Sequence, residues 1–285
     1  MNYPISLCMI VKNEAAVLER CLKSAAAFVQ EIIIVDTGST DKTKAIAACF
    51  GAKIFDFQWI EDFSAARNES LRHATQPWIL HLDADEYLDI ETVASLAEIG
   101  KNSKYAGYLV TIRNLHRPDD LAKSSDDAQI RLFRRQGNIY YMGAVHEQIG
   151  DSIEASGAKI DSLSLRIIHT GYQADPAIKA SRNLPLLLLE AEKRPSAYVF
   201  FKLGETYKAL KNYELAEHWL QKAADKKNGK LSSELYETLY LRLAQLALEK
   251  NQFQKAFDFA AKSNKNNNDN VISLYVGAIA ALYPV

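Results

Sequence analysis

The first half of the chain repeats one local pattern: a short apolar run, one or two polar residues, then apolar residues at helical spacing. The first run, Ile5-Ser-Leu-Cys-Met-Ile-Val11, is apolar at nearly every position rather than at alternate ones. Such a run fits a strand buried on both faces. Behind it, Val17, Leu18, Cys21 and Leu22 recur at helical spacing, so a helix is expected over residues 14–28 with Asn13 as its cap. Residues 32–35 read as a second strand ending at Asp36, and Gly38-Ser-Thr-Asp41 as a turn opening a helix to about Cys49, capped by Ser39 or Thr40. A short strand at 52–55, a helix from Ser64 as cap through His73, and a strand at 78–82 follow. Strands alternating with helices imply a largely parallel sheet covered on both faces. Ligands of such sheets bind beyond the carboxyl ends of the strands. Asn13, Asp36, Asp83 and Asp85 all fall just past strand ends and are expected on one rim.

The last of these strands runs straight into Asp83-Ala-Asp85. In extended backbone, residues i and i+2 share a face, so both carboxylates can aim at one point. Two hard oxygen ligands suit Mg²⁺ or Mn²⁺, and such an ion suits a diphosphate. A solvated acidic turn is the plainer alternative.

Composition narrows the classes of function. The formal net charge is −1 over 285 residues, so no basic field points to nucleic acid. Cys8, Cys21 and Cys49 lack metal-ligand spacing and read as buried apolar residues of a reducing compartment. No secretory pattern opens the chain, and residues 271–285 are too few to span a bilayer and include Gly277 and Pro284. A cytoplasmic protein without a transmembrane segment is expected.

The pattern changes at about residue 105. Residues 108–113, 128–133 and 164–168 look like strands without long intervening helices, and 116–127 is a polar surface segment able to serve as a lid. From Asp175-Pro176 onward the spacing is helical, with Pro185 expected to kink or break the first helix. Leu203, Gly204, Tyr213 and Ala216 return forty residues later as Leu243, Ala244, Phe253 and Ala256, and Gly277 continues the series. The chain is therefore divided into residues 1–174 and a helical part, 175–285.

The first part resembles the family 2 glycosyltransferases, which have the GT-A nucleotide-sugar fold: Rossmann-like, α/β, with a mostly parallel sheet. The matching stretches begin at Ile5 (ISLCMIVKNE), Ile33 (IIVDTGSTD), Phe63 (FSAARN), His81 (HLDAD), Gly143 (GAVHEQI) and Ile168 (IHTGY). The spacing Leu203-Gly204-x-x-Tyr207, then Ala216, Leu220 and Ala223, resembles the tetratricopeptide repeat. The combination is most similar to a bacterial subgroup with a C-terminal tetratricopeptide segment, related to the sublancin-type peptide S-glycosyltransferases.

The resemblance implies an inverting transfer from a nucleotide sugar, UDP-linked, to an acceptor hydroxyl or thiol on a peptide or saccharide precursor. Val11, Asn13 and Glu14 would lie against the base. Asp36 would accept from the uracil N–H or a ribose hydroxyl, or merely cap its turn. Arg67 and Asn68 would face the nucleotide, Asp83 the ribose or the metal, and Asp85 and His169 the metal, Mn²⁺ or Mg²⁺. Glu147 is the favoured base, His146 its rival and Glu86 a weaker candidate. Arg131, Arg134 and Arg135 could meet phosphates or an anionic acceptor but read first as a solvated strand edge, and Tyr140-Tyr141 could stack on a sugar ring but read first as buried aromatics. A nucleotidyltransferase is disfavoured, because Lys12-Asn-Glu14 stands where a Gly-rich phosphate loop belongs. The non-enzymatic alternative is a degenerate transferase serving as a scaffold, and the helical repeats offer a surface for an acceptor or a homodimer.

Overall fold

A computed structural model describes residues 2–117, 120–145, 147–171, 176–226, 231–264 and 271–282. The chain divides into two compact units, Met1–Ala174 and Asp175–Val285. No helix among the described residues is long and apolar enough to cross a membrane.

The first unit is built on β1 (Tyr3–Val11), whose Ile5–Met9 core is buried at every position. Around it lie β2 (Val29–Asp36), β3 (Lys53–Asp56) and β4 (Trp78–His81), with α1 (Leu18–Ala25), α2 (Thr43–Cys49) and α3 (Phe63–His73) between them. Then come β5 (Glu86–Leu88), a 3₁₀ turn (Val93–Glu98), β6 (Tyr105–Leu115), β7 (Ser124–Arg134), α4 (Gly150–Ala155) and β8 (Lys159–His169). One eight-stranded sheet has the order β3-β2-β1-β4-β7-β6-β8-β5. The first four strands are parallel, β7 is antiparallel to β4 and β6, and β6 and β8 are parallel. This is the mixed, mostly parallel α/β arrangement that the GT-A resemblance implies.

Local chemistry departs from the expected pattern at several points. Asn13 is not a helix cap. It takes a left-handed φ of 58°, and its Oδ1 accepts from the Thr40 amide at 2.8 Å. The amides that would open a helix at residue 14 are spent elsewhere: Glu14 N–H donates to Thr43 Oγ1 (2.8 Å) and Ala15 N–H to Asp41 Oδ2 (3.1 Å). Helix α1 therefore starts only at Leu18. Neither Ser39 nor Thr40 caps α2, since Asp41 Oδ1 takes the Thr43 amide at 2.9 Å. Asp62, not Ser64, caps α3 by accepting from Ala65 N–H at 3.0 Å. The strands of the second half are longer than their apolar cores, because β6 and β7 pair through polar residues as far as Leu115↔Ser124. Residues 124–127 thus belong to a strand and not to a loop. Pro118 and Asp119 lie outside the described residues.

The second unit is all helical: α5 (Pro176–Lys193), α6 (Ala197–Ala209), α7 (Tyr213–Asp225), α8 (Ser233–Glu249), α9 (Phe253–Ser263) and α10 (Val271–Ala281). Pro185 sits inside a continuous α5. One missing N–H bond is offset by burial of Leu186 and Leu187 just beyond it. The forty-residue recurrence is visible in the backbone. Lys211 and Asn251 both take left-handed φ, 60° and 56°, directly before α7 and α9. Gly204 of α6 meets α7 so closely that an added Cβ would lie 2.5 Å from Leu220 Cγ.

Candidate active site

Two short elements make the site. Strand β4 ends at His81, and β5 begins only five residues later, at Glu86. Residues 83–86 close the turn between them: Glu86 N–H donates to the Asp83 carbonyl (3.0 Å), and Asp83 N–H to Glu86 Oε2 (2.8 Å). The Asp83-Ala-Asp85 stretch is thus a turn rather than a strand end, and its two carboxylates have different partners.

Asp83 lies between two buried arginines. Arg67 of α3 donates to its Oδ1 at 3.2 Å, and Arg131 of β7 reaches its Oδ2 at 3.4 Å. Burial would raise the Asp83 carboxyl, but Arg67 and Arg131 hold it well below the usual range. Arg131 also donates to Glu86 Oε1 at 2.6 Å. Burial pushes Glu86 up to about 7, against the pull of Arg131. Arg67 forms a second ion pair with Glu147. The His81 ring touches Arg67, and its Nδ1 stands 2.8 Å from the Tyr141 hydroxyl. Burial, with both arginines nearby, pushes the imidazole well below its ordinary value, so it is neutral.

Arg131 is a correction to the expected solvated edge. Its exposure is 7%. The antiparallel β4–β7 register runs Trp78↔Arg134 to Leu80↔Leu132, and one step further Arg131 comes beside His81, 3.4 Å from its ring. Of the other two arginines, Arg134 lies 4.8 Å over the Trp78 ring and Arg135 is exposed. Tyr141 is buried, whereas Tyr140 is 46% exposed.

Asp85 faces His169, with Oδ2 and Nε2 3.3 Å apart. Strand β5 brings them together: Glu86 pairs with His169 across the β5–β8 ladder, and the Thr170 amide and hydroxyl both donate to the Asp85 carbonyl. Asn114 Oδ1 lies 2.7 Å from His169 Nδ1, so Nδ1 carries the proton it donates and Nε2 is turned to Asp85. Gly171 makes room, since a Cβ there would fall 1.7 Å from Asp85 Oδ2. Among the described residues no group of three or more His, Cys, Asp and Glu side chains gathers to hold a metal unaided. One carboxylate and one imidazole would fit a divalent cation that took its remaining ligands from oxygens outside the protein.

The other expected residues are distributed as follows. Val11 is buried at the end of β1, where its carbonyl accepts from the Thr37 amide at 2.9 Å. Asp36 Oδ1 caps its turn, accepting from Gly38 and Ser39 amides at 3.0 and 2.8 Å, while its Oδ2 is buried without a hydrogen-bond partner among the described residues. Asn13 and Glu14 are tied to the 39–43 loop as described. Asn68 does not face the rim with a spare group: its amide exchanges two hydrogen bonds with the Tyr141 backbone, 2.9 and 2.8 Å. His146 lies outside the described residues. Sequence reasoning set Arg131 on a solvated edge and gave no role to His81 or Asn114. The available signal for Arg131 was an arginine inside the apolar run Ile130–Phe133.

Residues 6–152 match the model of glycosyl transferase family 2, and the chain belongs to that family. A TPR repeat-containing protein of Synechococcus elongatus is 34% identical over 267 residues, which cover 89% of this chain and 64% of the relative. The SPbeta prophage-derived glycosyltransferase SunS of Bacillus subtilis is 28% identical over 222 residues, 75% of this chain and 52% of SunS. The chain thus spans between half and two thirds of these relatives. Among solved structures, S. aureus TarS 1-349 in complex with UDP-GlcNAc aligns with a TM-score of 0.49 at 14% identity, covering 93% of this chain and 92% of TarS 1-349.

Proposed function

We propose that this chain is a metal-dependent, inverting glycosyltransferase that moves a sugar from a UDP-linked donor to a hydroxyl or thiol of a peptide or saccharide precursor. The observation that carries this reading is the 83–86 turn. The turn lies within the span that matches the family model, and it sets the arginine-clamped Asp83 beside Asp85 and its partner His169, which follows that span.

Asp85 and His169 would hold the cation, Mn²⁺ or Mg²⁺, which supplies charge neutralisation for the departing diphosphate. Asp83, fixed by Arg67 and Arg131, is placed to orient the donor ribose. Asp36 Oδ2 is a buried acceptor whose deficit a uracil N–H or ribose hydroxyl would satisfy. Val11, Asn13 and Glu14 form the adjoining wall. Asn68 acts as a positioning residue through the Tyr141 backbone. Inversion needs one base opposite the leaving group. The acceptor O–H or S–H attacks the anomeric carbon, the bond to the diphosphate oxygen breaks, and the acceptor proton passes to Glu147. Tetratricopeptide-like packing of the helical unit would present the acceptor.

Calorimetric titration of UDP, with and without Mn²⁺, tests the donor site. Binding is expected to need Mn²⁺ and to vanish in Asp85→Ala. In Glu147→Gln it should persist while transfer falls by about 10²-fold or more. UDP binding indifferent to Mn²⁺ and to Asp85→Ala would overturn the metal assignment, and full turnover by Glu147→Gln would remove Glu147 from the mechanism.

A further inference from the structure

The first unit holds a cavity of about 290 Å³ that shares with the candidate active site only Asn68, whose amide is held by the Tyr141 backbone. It is lined from the sheet by Ile79 and Phe133, with the exposed ring of Tyr140 beside them. Three arginines, Arg72, Arg134 and Arg135, belong to the lining, which contains no carboxylate. None of Arg67, Asp83, Asp85, Glu147 or His169 lines it. Its arginines mark the opposite end of β4 from the rim: Arg134 pairs with Trp78, the first residue of β4, whereas His81, the last, belongs to the Asp83 cluster.

Two of the three arginines can meet an anion. The Arg134 guanidinium cannot, because it lies over Trp78 on the other sheet face from Ile79 and Phe133, with its Nε donating to the Tyr105 carbonyl at 2.9 Å. Arg135 Nε donates to the Gln76 carbonyl at 3.1 Å. That bond orients the Arg135 side chain, whose terminal nitrogens have no hydrogen-bond partner among the described residues. Arg72 pairs with Glu69 at 2.8 Å, on an exposed helix surface where such a pair contributes little. An oriented guanidinium with unused N–H donors favours a phosphate, with less ordering cost than a free side chain would carry. The volume is near the lower limit of small-ligand sites, enough for one sugar ring with its phosphate. An exposed tyrosine over an apolar floor gives that ring a face to rest on.

We propose that this cavity binds a phosphorylated monosaccharide, with the phosphate on Arg72 and Arg135 and the ring against Tyr140. The site is separate from the donor site and stands whether or not the transfer reading holds. Glucose 6-phosphate is the probe, titrated calorimetrically into the full chain. The expected result is binding by wild type and by Asp85→Ala alike. Affinity should drop at least roughly tenfold in the Arg72→Ala/Arg135→Ala double variant, and severalfold in Tyr140→Ala. Glucose and inorganic phosphate should each bind wild type roughly tenfold more weakly than the probe. Absence of binding, loss of binding in Asp85→Ala, or binding unchanged in the double arginine variant would overturn the site. Inorganic phosphate binding as well as glucose 6-phosphate would overturn the sugar. Matching thermal melts of the variants show that the fold is kept, and Arg135→Gln alone replaces the double variant if it is not.

Discussion

Arg131 shows how one side chain organises the site. It touches both Asp83 and Glu86, and its Nε has no partner among the described residues. Removing it leaves two carboxylates facing each other with only Arg67 to balance them. Breaking a buried pair in this way costs more than forming it contributed, because the survivor stays desolvated. Arg131→Met is expected to lower stability by about 3 kcal/mol, measured by urea unfolding. Adding Glu86→Gln should recover part of that loss, since it withdraws one of the stranded charges. Additive losses in the double variant would show that Arg131 and Glu86 are not energetically coupled.

At the level of elements, close approach and edge pairing decide the outcome. Glu31 of β2 ties three strands together near their amino ends. Its Oε1 accepts from Ser6 Oγ of β1, the Thr75 hydroxyl and the Gln76 amide ahead of β4, and its Oε2 pairs with Lys53 of β3 at 3.0 Å. Burial would raise this carboxyl, but bonds from Ser6, Thr75 and Lys53 lower it to about 2. A depressed carboxyl stabilises above its unfolded value and loses that contribution as pH falls through the folded one. Glu31→Gln should therefore cost about 1–2 kcal/mol at pH 7, after solvent screening. The gap to wild type should close between about pH 4.5 and pH 2, as followed by unfolding at stepped pH. A gap independent of pH would assign the effect to packing instead.

In the helical unit, two glycines of the same recurrence give opposite predictions. At Gly204 a Cβ would meet Leu220 Cγ and Cδ2 at 2.5 and 2.7 Å, with the Leu220 backbone nitrogen at 3.2 Å. Gly204→Ala is expected to lose about 1–2 kcal/mol, as overpacking exceeds the gain of up to about 1 kcal/mol in helix propensity. At Gly277 the nearest atom, Ala260 Cβ, is 3.5 Å away, an ordinary contact. Gly277→Ala should raise stability by about 0.5–1 kcal/mol. Thermal or urea melts separate the two, and the same sign at both positions would refute the packing argument.

At the scale of the molecule, each unit carries its own core: one spans both sheet faces, and another is built from Phe200, Leu220, Leu239 and Leu243. A fragment ending at Ala174 is expected to melt cooperatively and to hydrolyse a nucleotide-sugar donor, while transfer to an acceptor falls more than hydrolysis does. Equal loss of both would reject a role for the helices in acceptor use. The sequence by itself determined the parallel β1–β4 region and the helical repeat, since runs such as Ile5–Val11 and the forty-residue recurrence are local patterns that bury only one way. It also marked Asp36, Arg67, Asp83, Asp85, Glu147 and His169 as residues of interest. Only the tertiary structure decided how they are shared out. Strand β5 is three residues long, too short for any periodic signal, yet its pairing with β8 sets Asp85 against His169. The reversed direction of β7 carried Arg131 into the core beside Asp83. Strand direction and pairing partners depend on residues far apart in the chain, and no local pattern contains them.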